Sequence, residues 1–159
     1  MSNRRSARER AMQSLYAYEQ AGGDAQHVIE TTLKPDLASD QKNLVFATNL
    51  FLRTLDLTEE ADAIIGRHTE NWDLERIALV DRILLRMAIC EILTFEDVPP
   101  KVSINEAIEI AKRYSTLKSG PFINGILDAV VLELQRDGRM KKSGRGLVGM
   151  QSIVDRAAS

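Results

Sequence analysis

A chain of 159 residues, 44% hydrophobic and 28% charged, has room for one globular domain with a substantial core and would be cramped as two. No run approaches the roughly 18 consecutive apolar residues of a membrane span, and the N-terminus lacks the apolar core of a signal peptide, so a soluble, cytoplasmic protein is expected. The net charge of −2 hides an uneven distribution: four arginines face one glutamate in residues 1–10, five cations face one acid in residues 136–146, and the body between them is acidic. Such a chain suits an RNA at its basic arms and a basic protein on its flank.

Apolar residues recur at helical spacing almost throughout, which makes the expected class all-α. A first helix spans about Arg4 to Gln20, with Ala7, Ala11, Leu15 and Tyr18 on one face, and stops at Gly22-Gly23. A second covers about Ala25 to Leu33, ending before Pro35. Ser39 or Asp40 caps a third, carrying Leu44, Ala47, Leu50, Phe51 and Leu55, and Thr58 caps a fourth that reaches His68. Asn71-Trp72-Asp73 signals the start of the longest helix, Leu74 to about Phe95, whose apolar residues on several sides mark it as central. Beyond the Val98-Pro99-Pro100 break, Ser103-Ile104-Asn105-Glu106 reads as a capping box for a helix ending near Tyr114. A last helix runs from about Gly120 to Gln135, with Pro121 in its first turn. The expected architecture is a compact bundle of about seven helices, a single domain over residues 1–137 with subdomains at about 1–70 and 71–137. Residues 138–159 read as a flexible, disordered basic tail.

Little in the chain points to catalysis. His27 and His68 lie in different helices with no ligand-spaced partners, so neither a metal nor a cofactor is expected. Cys90 sits in an apolar run and reads as a buried small hydrophobe. Gly144-Arg145-Gly146-Leu147-Val148-Gly149 matches a dinucleotide fingerprint only as letters, because no strand precedes it and no acidic residue follows at the required distance.

Binding chemistry is better represented. Arg4, Arg5, Arg8 and Arg10 stand at the positive end of a helix macrodipole, where cations are mildly unfavourable and an outside anion would explain them. Arg5, Arg8, Met12 and Tyr16 fall in a sector of roughly 80° beside the apolar face. Guanidinium groups for phosphates next to a ring for a base is the chemistry that holds single-stranded RNA. The competing reading makes Tyr16 and Tyr18 boundary core residues and the arginines a solvated end. Lys112, Arg113 and Tyr114, with Phe122 in the next helix, repeat the pairing, and there Phe122 reads equally well as core. Asn105, Asn124 and Asp128 read better as buried polar ties between the last two helices than as functional groups.

Several segments together resemble one family. Arg4-Arg5-Ser6-Ala7-Arg8 with Ala11, Leu15 and Tyr16, then Asp81 to Ala88, Val98 to Val102, Ile104 to Lys112, and Phe122 to Asp128 are similar, in this order over about residues 4–130, to the transcription antitermination factor NusB family. The resemblance implies a non-enzymatic, all-helical factor that binds the boxA element of ribosomal-RNA leader transcripts jointly with the small-subunit ribosomal protein NusE. It would act within the RNA polymerase antitermination complex with other Nus factors. Its RNA surface falls on Arg4, Arg5, Arg8, Tyr16, Tyr114 and Phe122, with Lys112 beside them. Its NusE surface falls on Tyr18 and Asp81, with Glu75 nearby. Lys118 and the basic extension after Gly138 depart from the family pattern. The alternatives are the NusB-like domain of a ribosomal-RNA cytosine methyltransferase, disfavoured by the absence of a methyl-donor domain in these 159 residues, and a homodimer with an occluded RNA face.

Overall fold

The computed structural model describes residues 3–69 and 73–158. Every regular element among them is helical, as the periodicity requires. The chain divides into two compact units, Met1–Leu57 and Thr58–Ser159, a division about a dozen residues earlier than the subdomain boundary expected near residue 70.

In the first unit, α1 (Arg4–Ala21) is capped by Asn3, whose side chain accepts from Ser6 N at 2.8 Å. It ends at Gly22, where φ of 67° lets the glycine N–H reach Tyr18 O at 2.8 Å. The short α2 (Ala25–Val28) runs through a π-helical turn, Ile29–Leu33, into α3 (Lys34–Leu37). The helical path therefore passes Pro35 instead of stopping before it. The wider turn has Lys34 N–H bonded to Ile29 O, so the donor that proline lacks falls where the i→i−4 ladder is already interrupted. Asp40 caps α4 (Gln41–Asp56), accepting from Asn43 N at 3.2 Å. Ala7, Ala11 and Leu15 of α1, Leu33 and Leu37, and Ala47, Leu50 and Phe51 of α4 form the buried core.

The second unit is built on α6 (Leu79–Thr94), with α5 (Thr58–Arg67), α7 (Pro100–Tyr114) and α8 (Ser119–Arg136) packed around it. Ile83, Leu84, Leu85, Ile89, Cys90 and Ile92 are all essentially inaccessible, so α6 is the central helix its sequence announces. Truncating any of its large side chains to alanine would cost about 2–5 kcal/mol. Two of its buried polar groups tie it to neighbouring helices: Arg86 grips Asp62 of α5 through two bonds of 2.7 and 2.9 Å, and Glu91 accepts the Ser103 hydroxyl at 3.0 Å. Glu133 of α8 receives Arg67 and His68, the latter at 2.9 Å. The Arg67 hydrogen bond, with His68 adding to it, holds the Glu133 carboxyl below its usual range against the opposing effect of burial.

Three expectations are corrected here. The long helix starts at Leu79, not Leu74: a 3-10 turn, Leu74–Arg76, is followed by Ile77 and Ala78 in extended conformation, with Ile77 buried. Asn71 and Trp72 of the expected start signal lie outside the described residues. Ser103-to-Glu106 is not a capping box, because α7 already begins at Pro100. Proline suits that first position, and the Ser103 hydroxyl is spent on Glu91.

The third correction is the tail. Gly138, with φ of 68°, ends α8, but the chain beyond it folds into a 3-10 turn, Gly144–Leu147, and a helix α9 (Met150–Ala158) packed on α7 and α8. The Lys142 ammonium donates to Glu91 O at 3.0 Å and Phe95 O at 2.6 Å, closing the C-terminal end of α6. Gly146 lies so close to the Glu96 carbonyl that a Cβ there would sit 2.0 Å from its oxygen. Ile153 is fully buried, and Arg156 forms a two-pronged bond of 2.6 Å and 2.6 Å with Asp128 of α8. Composition suggested disorder because the anchors are single residues scattered among glycines and cations. The Gly144-to-Gly149 spacing serves backbone geometry, with positive φ at both ends and close packing at Gly146.

Candidate nucleic-acid interface

On the first unit, the cations of α1 separate into two groups. Arg4 is exposed and its guanidinium carbon lies 4.3 Å from the centre of the Phe46 ring. That of Arg8 lies 5.1 Å from the same ring, but Arg8 is only 4% exposed. At 100° per residue Arg8 and Met12 fall nearer the apolar face than Arg5 and Tyr16, which explains why the first two are buried and the second two open. Arg8 therefore carries packing, contrary to its reading as a solvent-facing phosphate ligand. Arg5 remains exposed, and the Tyr16 ring is 41% exposed. Arg10 is turned toward Asp36 at 3.3 Å.

Tyr18 is half-buried, with its ring edge-on to Phe51 at 6.5 Å and 79°. Its structural role is thus closing the α1–α4 core. Phe46 is the residue that sequence reasoning missed. The signal was available, since it stands four positions before Leu50 on the buried face of α4.

On the second unit, Lys112 and Tyr114 end α7 and Phe122 opens α8, so a four-residue link brings them to one end of this helical pair. Lys112 is exposed and bonded to Glu109 at 3.0 Å. Tyr114 is half-buried beside Arg113, whose guanidinium carbon is 5.4 Å from the ring centre. Phe122 is 40% exposed, which removes the reading that made it core.

Phe122 also borders an open pocket of about 510 Å³, whose lining includes Lys118, Ser119, Arg76 and Asp81. Asp81 is the second site residue whose environment differs from expectation. It is 6% exposed and accepts the Ser119 hydroxyl at 2.8 Å, while its other oxygen has no hydrogen-bond partner among the described residues. In the first turn of α6, beside the start of α8, it acts as an internal tie and not as a charge on an open flank. Glu75 is exposed in the 3-10 turn before α6. Of the three residues expected to tie α7 to α8, Asn105 is exposed and Asn124 is bonded to Asp128 within α8 at 3.0 Å, so only the buried Asp128 acts as a tie, and it holds α9 through Arg156.

No group of three or more potential metal ligands occurs among the described residues. What the helices of each unit present is exposed cations and an open ring, Arg4, Arg5 and Tyr16 on the first and Lys112 and Phe122 on the second, groups of the kind that hold single-stranded RNA. The chain belongs to the NusB family, whose model matches residues 5–132. It is similar over its whole length to the transcription antitermination protein NusB of Salinibacter ruber, 54% identical over 159 residues and covering 99% of that protein. NusB from T. maritima superposes with a TM-score of 0.76 at 37% identity, over 83% of this chain and 92% of that one. A chain of the crystal structure of antitermination factors NusB and NusE in complex with double-stranded RNA shares the fold, with a TM-score of 0.74 at 24% identity over 82% of this chain and 96% of that one. The protein is thus a transcription antitermination factor, from a family of RNA-binding factors and not of enzymes. The family match ends before the C-terminal segment, whereas the match to the Salinibacter ruber relative runs through it.

Proposed function

We propose that this factor binds the boxA element of nascent ribosomal-RNA leaders as a single strand, together with NusE, and so supports processive ribosomal-RNA transcription within the antitermination complex containing RNA polymerase and other Nus factors. The observation that carries the reading is the open flank of α1, where Arg4 and Arg5 stand exposed and the Tyr16 ring offers a face for a base. Lys112, Tyr114 and Phe122 supply the same chemistry on the second unit. The fold relative was crystallised with NusE and double-stranded RNA, which supports NusE and RNA as the classes of partner, while the open rings favour the single strand. Tyr18 and Glu75 are the residues through which NusE would dock. Asp81 contributes indirectly, by fixing Ser119 at the start of α8.

Equilibrium titration of a short boxA-like RNA at several salt concentrations tests the reading. Three or four neutralised phosphates give a slope of log K against log salt of roughly −2 to −3 for a single strand. Tyr16→Ala should lose about 1–3 kcal/mol while Tyr16→Phe retains binding, because stacking uses the ring face. A flat salt dependence, or equal losses in the two variants, contradicts it.

A further inference from the structure

Beside the Arg4 and Phe46 contact lies an open cleft of about 400 Å³ lined by Arg4, Gln41, Lys42, Val45 and Phe46, residues from the start of α1 and the first two turns of α4. Its rim carries two exposed cations, Arg4 and Lys42, for which no ion-pair partner occurs among the described residues. The neighbouring Asp40 carboxylate accepts from Asn43, through the backbone N–H at 3.2 Å and the side-chain amide at 2.9 Å, and so fixes the start of α4. The floor is apolar. Val45 is 49% exposed, whereas the neighbouring Phe46 is buried, with the guanidinium carbons of Arg4 and Arg8 over its ring. Gln41 adds an exposed amide able both to donate and to accept.

We infer that this cleft is a nucleotide subsite: it seats one nucleotide of a bound single-stranded RNA, the base against Val45 and the phosphate between Arg4 and Lys42. The inference rests on the RNA-binding reading above and extends it to α4. Two cations, one amide and an apolar side chain match a phosphate, a base edge and a base face, and the RNA-binding reading selects the nucleotide over an acidic peptide, which the cations would equally attract. The sequence gives no hint of it, because Lys42 and Val45 gain a neighbour in Arg4 only when α1 and α4 pack.

The experiment uses the full chain and the boxA-like RNA as probe, with a set of RNAs each abasic at one position. Lys42→Ala should flatten the salt slope by about 0.7, the contribution of one phosphate on a single strand. One abasic RNA should bind the unmodified protein about fivefold more weakly, or worse, and that discrimination should vanish in Val45→Asp. Melting temperatures of both variants should match the parent, since both side chains are exposed. Parental slope and parental abasic discrimination in the two variants, with Arg5→Ala still weakening binding, would overturn the subsite and leave the RNA-binding reading intact. No effect of Arg5→Ala either would overturn both.

Discussion

Arg8 and Arg5 look alike in the sequence, and their difference is one of angle around α1. Arg8 is buried over Phe46 while Arg5 faces solvent, so reversing their charges should have separable consequences. Arg8→Glu is expected to destabilise the fold by about 2–4 kcal/mol, losing a desolvated cation–ring contact and burying an anion in its place. Arg5→Glu should leave stability within about 0.5 kcal/mol and lower only RNA affinity. Chemical denaturation of the two variants, followed by RNA titration of whichever remains folded, checks the separation. An equal loss of stability in both would mean that the angular assignment is wrong. Asp81 teaches the same lesson with opposite sign: an acid at the start of a helix reads as surface, and only the approach of Ser119 from α8 makes it internal.

Among the elements, those with continuous periodicity were legible and those held by isolated contacts were not. The apolar face of α1, the all-round hydrophobicity of α6 and the Gly22 stop are local signals, and each appears where expected. The start of α6 and of α7, and the whole of α9, depend on partners distant in sequence: the buried extended Ile77, the Glu91 carboxylate that takes Ser103, and the Asp128 carboxylate that takes Arg156. The cations and rings of the candidate site could be listed from the sequence. Which of them face solvent could not, because burial of Arg8 requires Phe46 from another helix.

Two outcomes follow for α9. Arg156→Ala would leave Asp128, 4% exposed, bonded to Asn124 without its cation, and should cost about 2–3 kcal/mol, less than a fully buried pair because Arg156 is a third exposed. Hydrogen exchange should accelerate in residues 150–158 and remain protected in α6. Uniform acceleration would mean α9 is an integral part of the core, and no acceleration would mean the ion pair does not hold it.

Lys142 adds a pH dependence. Burial lowers its ammonium to about 8 from 10.5, against the opposing influence of Glu91, Asp97 and Glu96. Between about pH 8 and 10.5 the unfolded chain holds a proton that the folded chain has released, so stability from this group rises with pH across that window. The denaturation midpoint of the parent should climb relative to Lys142→Met over this range. A parallel pH course in the two proteins would place Lys142 in water.

For the molecule as a whole, antitermination by an RNA-binding factor is the family's activity, and the charge distribution suggests how the work is divided. On the function proposed above, basic and aromatic groups would meet RNA and the acidic body a basic partner, with rim charges setting association rate more than final affinity. Linkage requires the two ligands to help each other equally if they bind cooperatively: whatever factor NusE adds to RNA affinity, RNA must add to NusE affinity. The direct test is an equilibrium titration of a boxA-like RNA and a scrambled RNA of equal length and composition, each with and without saturating NusE. The account expects weak binding of the boxA-like strand alone, and a gain of about 5–150-fold with NusE that the scrambled strand does not share. Equal affinities for the two RNAs in the presence of NusE, or no gain on adding it, would contradict boxA recognition by the joint complex.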